Sequence, residues 1–374
     1  MPSRAGGSSG GHERRAGERR FATRIMRTVD AGSAESLLGF AEGAGPGLRG
    51  LDANALFEEL EARDADLLAA LQWFLDTGRT DDALRLAIAL APVWMARKRL
   101  DEGLGWFDKA LAAEGGTDVV RGNAYFQAGL LAFWPGYDER SAELHGQALA
   151  IGRRTGDPTV TAQALTGLAR LALRSGNASD IKEARWLCRE ALTITEGIQD
   201  GAGRSNALHV LAVAAQMAGD FDEARTLMAQ RIATARATGN LATISSEAGN
   251  LSMVERQLGN LDEAEALALE ALDIDVKRGD YWAMPYKVAS LAATRTDRGD
   301  LERAATLIGA AEAMMEREGA AWPPDERPHY ERVLTRLPRG LGTDEFERLR
   351  AIGQAMSNDD AVAYAFAMTT EPAG

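Results

Sequence analysis

Three glycines spaced 40 residues apart, Gly219, Gly259 and Gly299, open near-identical phrases. These read Gly219-Asp220-Phe221-Asp222-Glu223-Ala224, Gly259-Asn260-Leu261-Asp262-Glu263-Ala264 and Gly299-Asp300-Leu301-Glu302-Arg303-Ala304. A fixed period in this range marks stacked supersecondary units, none of which can bury its apolar face alone. The period extends upstream, where Gly136 and Gly176 are again 40 apart. The step from Gly176 to Gly219 is 43. An alanine stands five residues after each later glycine but eight after Gly176, at Ala184, so three residues are read as inserted in that turn. A second set of breaks, Gly239, Gly279 and Gly319, keeps the step of 40. Each unit is therefore two helices of roughly 16–18 residues joined by a short turn.

The local chemistry agrees. From about residue 51 the chain is dominated by Leu, Ala, Glu and Arg, which favour helix when summed over such windows. Apolar residues recur at helical spacing, as in Leu261, Ala264, Leu267, Ala268, Ala271 and Leu272. Glycine ends each first helix, where a left-handed backbone is cheapest without a side chain. Asp or Asn follows to cap the next helix. The alanine lets the two helices approach closely. A second pair seats one hairpin on the next, at Ala110-Leu111, Ala148-Leu149, Ala191-Leu192 and Ala271-Leu272. No run of alternating β-branched residues argues for a strand.

Charge and cysteine content exclude several functions. The 374 residues carry a net charge of −13, and residues 1–27 hold seven arginines against Glu13 and Glu18, leaving −18 on the rest. A body so acidic repels phosphates, and no basic stripe relieves it, so direct nucleic-acid binding is not expected. The single cysteine, Cys188, forbids an internal disulfide and reads as a buried structural thiol. The longest apolar stretch, Leu86 to Ala96, contains Pro92 and is too short to span a bilayer. The arginines near the start precede no apolar segment of signal-peptide type. A cytoplasmic location without membrane attachment is expected. The Gly-, Ser- and Arg-rich start also suits a misplaced start codon, with Met26 as a later candidate.

The turn glycine, the small residue five later and the Ala-Leu pair twelve and thirteen later resemble tetratricopeptide repeats, at Gly136 and Gly259 in full and at Gly299 through Ala311 alone. The period of 40 matches the lengthened repeats of MalT-like and kinesin-light-chain-like proteins. Two departures stand out: Ser141 replaces the turn alanine, and Arg231 replaces the second-helix alanine of the Gly219 unit, which is expected to pack less tightly. Further phrases are similar to the C-terminal repeat region of bacterial LuxR-type signal-transduction ATPase regulators. They are Pro46-Gly47-Leu48-Arg49-Gly50, Asp66 to Trp73, Leu307 to Glu312, Trp322-Pro323-Pro324 with Tyr330, and Asp359 to Ala365. There an NTPase module precedes the repeats, which act as the sensing or partner-binding arm. This sequence has no Gly-x-x-x-x-Gly-Lys-Ser/Thr phosphate loop and no evident helix-turn-helix module, so it looks like the arm alone, or a split or truncated regulator.

The resemblance implies an all-α, right-handed superhelical solenoid of helical hairpins. The expected divisions are a disordered Arg/Gly-rich tail at 1–27, an N-terminal helical cap with irregular hairpins at 28–118, and repeats at 119–320. Capping helices follow at 321–368, and a disordered tail at 369–374. Ser357 with Asp360 reads as a capping box opening the last helix.

Catalytic chemistry finds no footing. The histidines, His12, His145, His209 and His329, pair with no Cys or His at metal-ligand spacing. The carboxylate pairs Asp81-Asp82, Asp222-Glu223, Asp262-Glu263 and Asp359-Asp360 sit at helix starts, where the helix dipole favours them. The tryptophans are expected mostly in the core. We expect no enzyme activity, no metal and no cofactor.

In a tetratricopeptide hairpin the first helix lines the concave face, and its exposed positions fall 13, 10, 6 and 3 residues before the turn glycine. The first column holds Asn123, Gln163, Asn206, Ser246 and Tyr286, all polar and uncharged and suited to an extended peptide backbone. The other columns contribute Phe126, Thr166, His209, Arg170, Met253, Gln216 and Arg256, the arginines offering a carboxylate or phosphate contact. The expected function is protein or peptide binding in signalling or transcriptional control. Rival readings are a small-molecule effector-sensing arm of a split regulator, and a truncated relic of one.

Overall fold

A computed structural model of the chain describes residues 29–319, 322 and 327–367. The tails expected at 1–27 and 369–374, and Pro323-Pro324, lie outside the described residues. Among the described residues there are eighteen α-helices and no strand. The N-terminal part comprises α1 (Ala31–Ala44), α2 (Ala53–Ala62) and α3 (Asp64–Asp76). Six hairpins follow. They pair α4 (Thr80–Ala96) with α5 (Leu100–Ala112), α6 (Asp118–Phe133) with α7 (Asp138–Thr155), and α8 (Pro158–Ala172) with α9 (Ala178–Gly197). The next three pair α10 (Gly201–Ala218) with α11 (Phe221–Thr238), α12 (Leu241–Gln257) with α13 (Leu261–Arg278), and α14 (Met284–Arg298) with α15 (Leu301–Glu318). The last helices are α16 (Arg327–Leu341), α17 (Thr343–Gln354) and α18 (Asn358–Ala367).

The left-handed turns expected at the glycines are present, but Asp220, Asn260 and Asp300, expected to cap the helices that follow them, make no side-chain cap hydrogen bond there, whereas Asn177 and Asn240 do. Gly219, Gly259 and Gly299 take left-handed φ of 82°, 84° and 86°, a conformation that costs a side-chain-bearing residue. Lys98 takes the same conformation in the α4–α5 turn, at φ 55°, which hid this hairpin from a glycine-based reading. The carboxylate pairs lie in the first turns of α4, α11, α13 and α18. The Ser357 capping box is formed: Asp360 N donates to Ser357 Oγ at 3.1 Å, and Ser357 N donates to Asp360 Oδ2 at 3.4 Å.

The 43-residue step resolves differently from the sequence reading. The turn after Gly176 is not lengthened: Asn177 caps the next helix by accepting from Asp180 N at 3.0 Å, and α9 starts at Ala178. Two of the extra residues extend α9, which has 20 residues against 18 in α7 and α11. The third lies in the following turn, where Gln199 takes φ 55°. The helix can absorb about half a turn, whereas the capped turn has a fixed length.

Packing follows the small residues. Ala110, Ala148, Ala191 and Ala271 are fully buried, as are Ala224, Ala264 and Ala304. Ser141 fits the alanine seat because its Oγ donates to the Gly129 carbonyl at 2.9 Å. Around α7 the seat is closer still. The His145 ring lies between Gly129 of α6 and Gly167 of α8, and a Cβ at either glycine would come within 2.5 Å of it. Gly309 of α15 and Gly353 of α17 meet the facing helix's backbone, at Arg350 and Thr306, and so dock the terminal helices onto the last hairpin.

The tryptophans depart from expectation. Trp94 and Trp106 are buried, but Trp134, Trp186 and Trp282 are 45%, 60% and 37% exposed. Cys188 is buried, and burial pushes its thiol up to about 12, which leaves it unreactive.

Candidate functional site: the face of the first helices

Along the first helices α6, α8, α10, α12 and α14, α6 packs on α8, α8 on α10 and α12 on α14. Their burial deepens along the array. In α14 every residue from Met284 to Thr294 is buried, since the terminal helices pack on it from the far side. The buried candidates nevertheless fall one on each of the five helices.

These five candidates lack the exposure expected from the hairpin register. Phe126 packs with Ala148, Val160 and Ala164, and its ring lies 5.6 Å from that of His145. Thr166 is buried and turns its hydroxyl to the Ala162 carbonyl of its own helix at 2.8 Å. Gln216 and Met253 are buried. Tyr286 is buried between two rings, 5.4 Å from Trp282 and 5.9 Å from Trp322. The cover differs from site to site: α7 and α8 close over Phe126, and the rings of Trp282 and Trp322 close over Tyr286.

The remaining candidates reach the surface to different degrees. Asn206 is exposed, and Asn123, Gln163 and Ser246 are half-buried. Asn123 donates to the Val119 carbonyl of its own helix at 3.1 Å, whereas Gln163 Oε1 has no hydrogen-bond partner. Arg256 is engaged by Asp297 at 2.7 Å, so its guanidinium braces α12 against α14. Arg170 is half-buried, and its charge reaches His145, Cys188 and His209.

His209 belongs to a cluster that the column reading did not anticipate. Its Nδ1 is hydrogen-bonded to Glu247 of α12, and Arg231 Nη1 of α11 donates to the same carboxylate. Arg231 Nε donates to Ser205 Oγ at 3.0 Å. Burial opposes ionisation of Glu247, but His209 and Arg231 outweigh it and hold its pKa below the ordinary value. The hairpin that carries Arg231 packs less closely than the other glycine-marked hairpins, as expected, but Arg231 adds more than bulk. It replaces an alanine seat by an ion cluster.

A second polar layer lies one hairpin on. Ser245 Oγ donates to Asp275, whose pKa burial pushes up to about 6 against the pull of Lys287 and Ser245. The Lys287 stem crosses Gly249, where a Cβ would stand 2.9 Å from Lys287 Cε. The signal lies in the residues twelve before each turn glycine: Ala124, Ala164, Ala207, Glu247 and Lys287. That position faces the preceding first helix, and its chemistry changes from small and apolar to charged.

An aromatic row crosses the same region. From Phe133 it passes to Trp134 at 5.4 Å, Trp282 at 6.0 Å, Tyr286, Trp322 and Tyr330, each ring meeting the next edge-on except the stacked last pair. Trp134 and Trp282 come from hairpins far apart in the chain.

Among the described residues, no group of His, Cys, Asp and Glu is placed to hold a metal ion, and no helix is long and apolar enough to cross a membrane. Two depressions, one lined by Leu168, Arg174 and Leu187 and one by Ile232, Leu251 and Leu267, are open to solvent.

Comparison with known proteins agrees with this architecture. Residues 248–274 match the tetratricopeptide repeat family. A Mycobacterium tuberculosis protein named as an HTH-type transcriptional regulator is 33% identical over 125 residues, as is its Mycobacterium bovis counterpart. The match takes in 31% of this chain and only 14% of the regulator's length. Among solved structures, a Rap protein complexed with Competence and Sporulation Factor covers 90% of this chain and 96% of its own, at 15% identity and a TM-score of 0.53. The Rap conjugation gene regulator of plasmid pLS20, in complex with the Phr peptide, covers 88% and 99% at 11% identity and a TM-score of 0.50. Repeat, helix order and these likenesses converge: the chain is an all-α solenoid of tetratricopeptide-like hairpins.

Proposed function

We propose that this chain is a non-catalytic binding arm in signalling or transcriptional control, and that the face of its first helices takes an extended peptide segment of a partner protein. The observation that carries the reading is the column Asn123, Gln163, Asn206 and Ser246. It supplies one uncharged polar side chain per hairpin, exposed at Asn206 and half-buried at the other three. An extended backbone offers a donor and an acceptor at every residue, so such a column can satisfy it without demanding a sequence. The peptide complexes of the two Rap proteins lend support by analogy of fold, and the mycobacterial regulator by partial sequence kinship.

The test is selection of displayed random peptides on the whole chain. Enriched peptides should bind the parent and lose binding to Asn206→Arg/Ser246→Arg, which fills the column without touching the buried layer. Binding unchanged in that variant would move the site off this face. Absence of any enriched peptide from folded protein would count against the peptide reading altogether.

A further inference from the structure

Hairpins adjacent in sequence share long buried interfaces, but distant parts of the array also meet. Lys98 Nζ, in the α4–α5 turn, lies 3.8 Å from Glu318 at the end of α15. Trp134, at the end of α6, sets its ring edge-on to Trp282, before α14, at 6.0 Å. Arg278 Nε, at the end of α13, donates to the Gly50 carbonyl at 3.4 Å across 228 residues of chain. Asn54 sits beside Gly279, 3.4 Å from where a Cβ would stand.

These contacts share a geometry. Lys98 and Trp134 lie at turns within early hairpins, while Glu318, Arg278 and Trp282 lie where late hairpins end or begin. The rim of the early part of the coil therefore touches the opposite rim of the late part. Their chemistry differs from that of the stack. Each step between hairpins buries fully enclosed alanine and leucine, such as Ala164 with Leu165 and Ala271 with Leu272. The rim contact holds a partly exposed ion pair, one long hydrogen bond from the buried Arg278 and two partly exposed rings. In a linear array the joint with the least buried apolar surface opens first.

We propose that this rim contact is a seam that closes the coil on itself, and that it opens as a unit while the hairpins stay folded. Opening separates Trp134 from Trp282 and bares the Trp282–Tyr286 end of the aromatic row, so the seam gates the face of the first helices. The seam needs no occupant to be measured, and failure of peptide binding leaves it standing.

Paired spin labels report it. Glu139→Cys and Val276→Cys place labels on exposed positions either side of the seam, and buried Cys188 does not compete. The labelled parent should give one narrow distance by double electron–electron resonance. Trp134→Ala/Trp282→Ala should shift it to a longer, broader distribution with unchanged far-ultraviolet circular dichroism. Should that variant lose helix, Glu318→Lys serves instead, with the shift reversed by the swap Lys98→Glu/Glu318→Lys. An identical narrow distance in folded parent and variants would overturn the seam, as would a long, broad distance in the parent.

Discussion

The step from α6/α7 to α8/α9 and the step from α10/α11 to α12/α13 are built on one backbone plan with opposite chemistry. In the earlier step alanines fill both seats, at Ala148 and Ala164, and close approach is bought with glycine: His145 is clamped between Gly129 and Gly167. Neither ring nitrogen of His145 has a hydrogen-bond partner. In the later step the same two seats hold Arg231 and Glu247, which join His209 in a buried cluster. The period alone does not decide how a hairpin seats on its neighbour. A steric fit and an ionic fit both satisfy it, and they fail in different ways.

The largest difference should come from removing one charge. Glu247→Ala leaves Arg231 buried without its carboxylate, and loss of a buried partner costs about 3–5 kcal/mol. Urea unfolding followed by circular dichroism should show a sharply lowered midpoint, or an early separate phase if the array uncouples there. The earlier step has no such pair to break.

Acid should loosen the earlier step through His145. Burial, aided by the charge of Arg170, lowers His145 from 6.5 to about 4. The folded state therefore favours the neutral ring. Its contribution is whole above pH 6.5 and is lost as pH falls towards 4, about 3 kcal/mol at the limit. Asp275 has the opposite sign. Its pKa is raised from 3.8 to about 6, so its part of the array loses stability as pH rises through that window. Hydrogen exchange at pH 4.5 and 7 should show α6 to α8 loosening in acid, and His145→Leu should flatten that response.

Glycine substitutions sharpen the contrast further. Gly129→Ala or Gly167→Ala pushes a methyl into an imidazole held on both sides, for about 1–3 kcal/mol by thermal unfolding. Gly249→Ala meets only the flexible end of Lys287, which can swing aside. Its cost should stay below about 1 kcal/mol, offset by the better helix propensity of alanine. Equal effects at the three glycines would erase the distinction between a steric and an ionic seat.

Much of the fold was legible in the sequence because glycine and alanine act locally, whereas the caps expected at Asp220, Asn260 and Asp300 are not made. Gly219, Asn177 and Ser357 do in the structure what their chemistry dictates in the chain. The three-residue insertion was misplaced, since only the cap geometry shows that a turn of fixed length cannot hold it. The candidate face was legible in register but not in exposure. Phe126, Thr166, Gln216, Met253 and Tyr286 stand at the expected positions, yet all five are buried, Phe126 by α7 and α8 and Tyr286 by two tryptophan rings, contacts that no register along one helix encodes. The meeting of Trp134 with Trp282 depends on the curvature of the whole coil, which no local pattern encodes.

The most direct test of the account is a double-mutant cycle between Arg231 and Glu247, read by hydrogen exchange across α10 to α13. If charge has replaced a small-residue seat, each single alanine variant should loosen these helices strongly. Arg231→Ala/Glu247→Ala, which restores the residues of the earlier steps, should then recover a large part of the protection, with a coupling of about 1–3 kcal/mol. A double variant as unprotected as the sum of the two singles would contradict it.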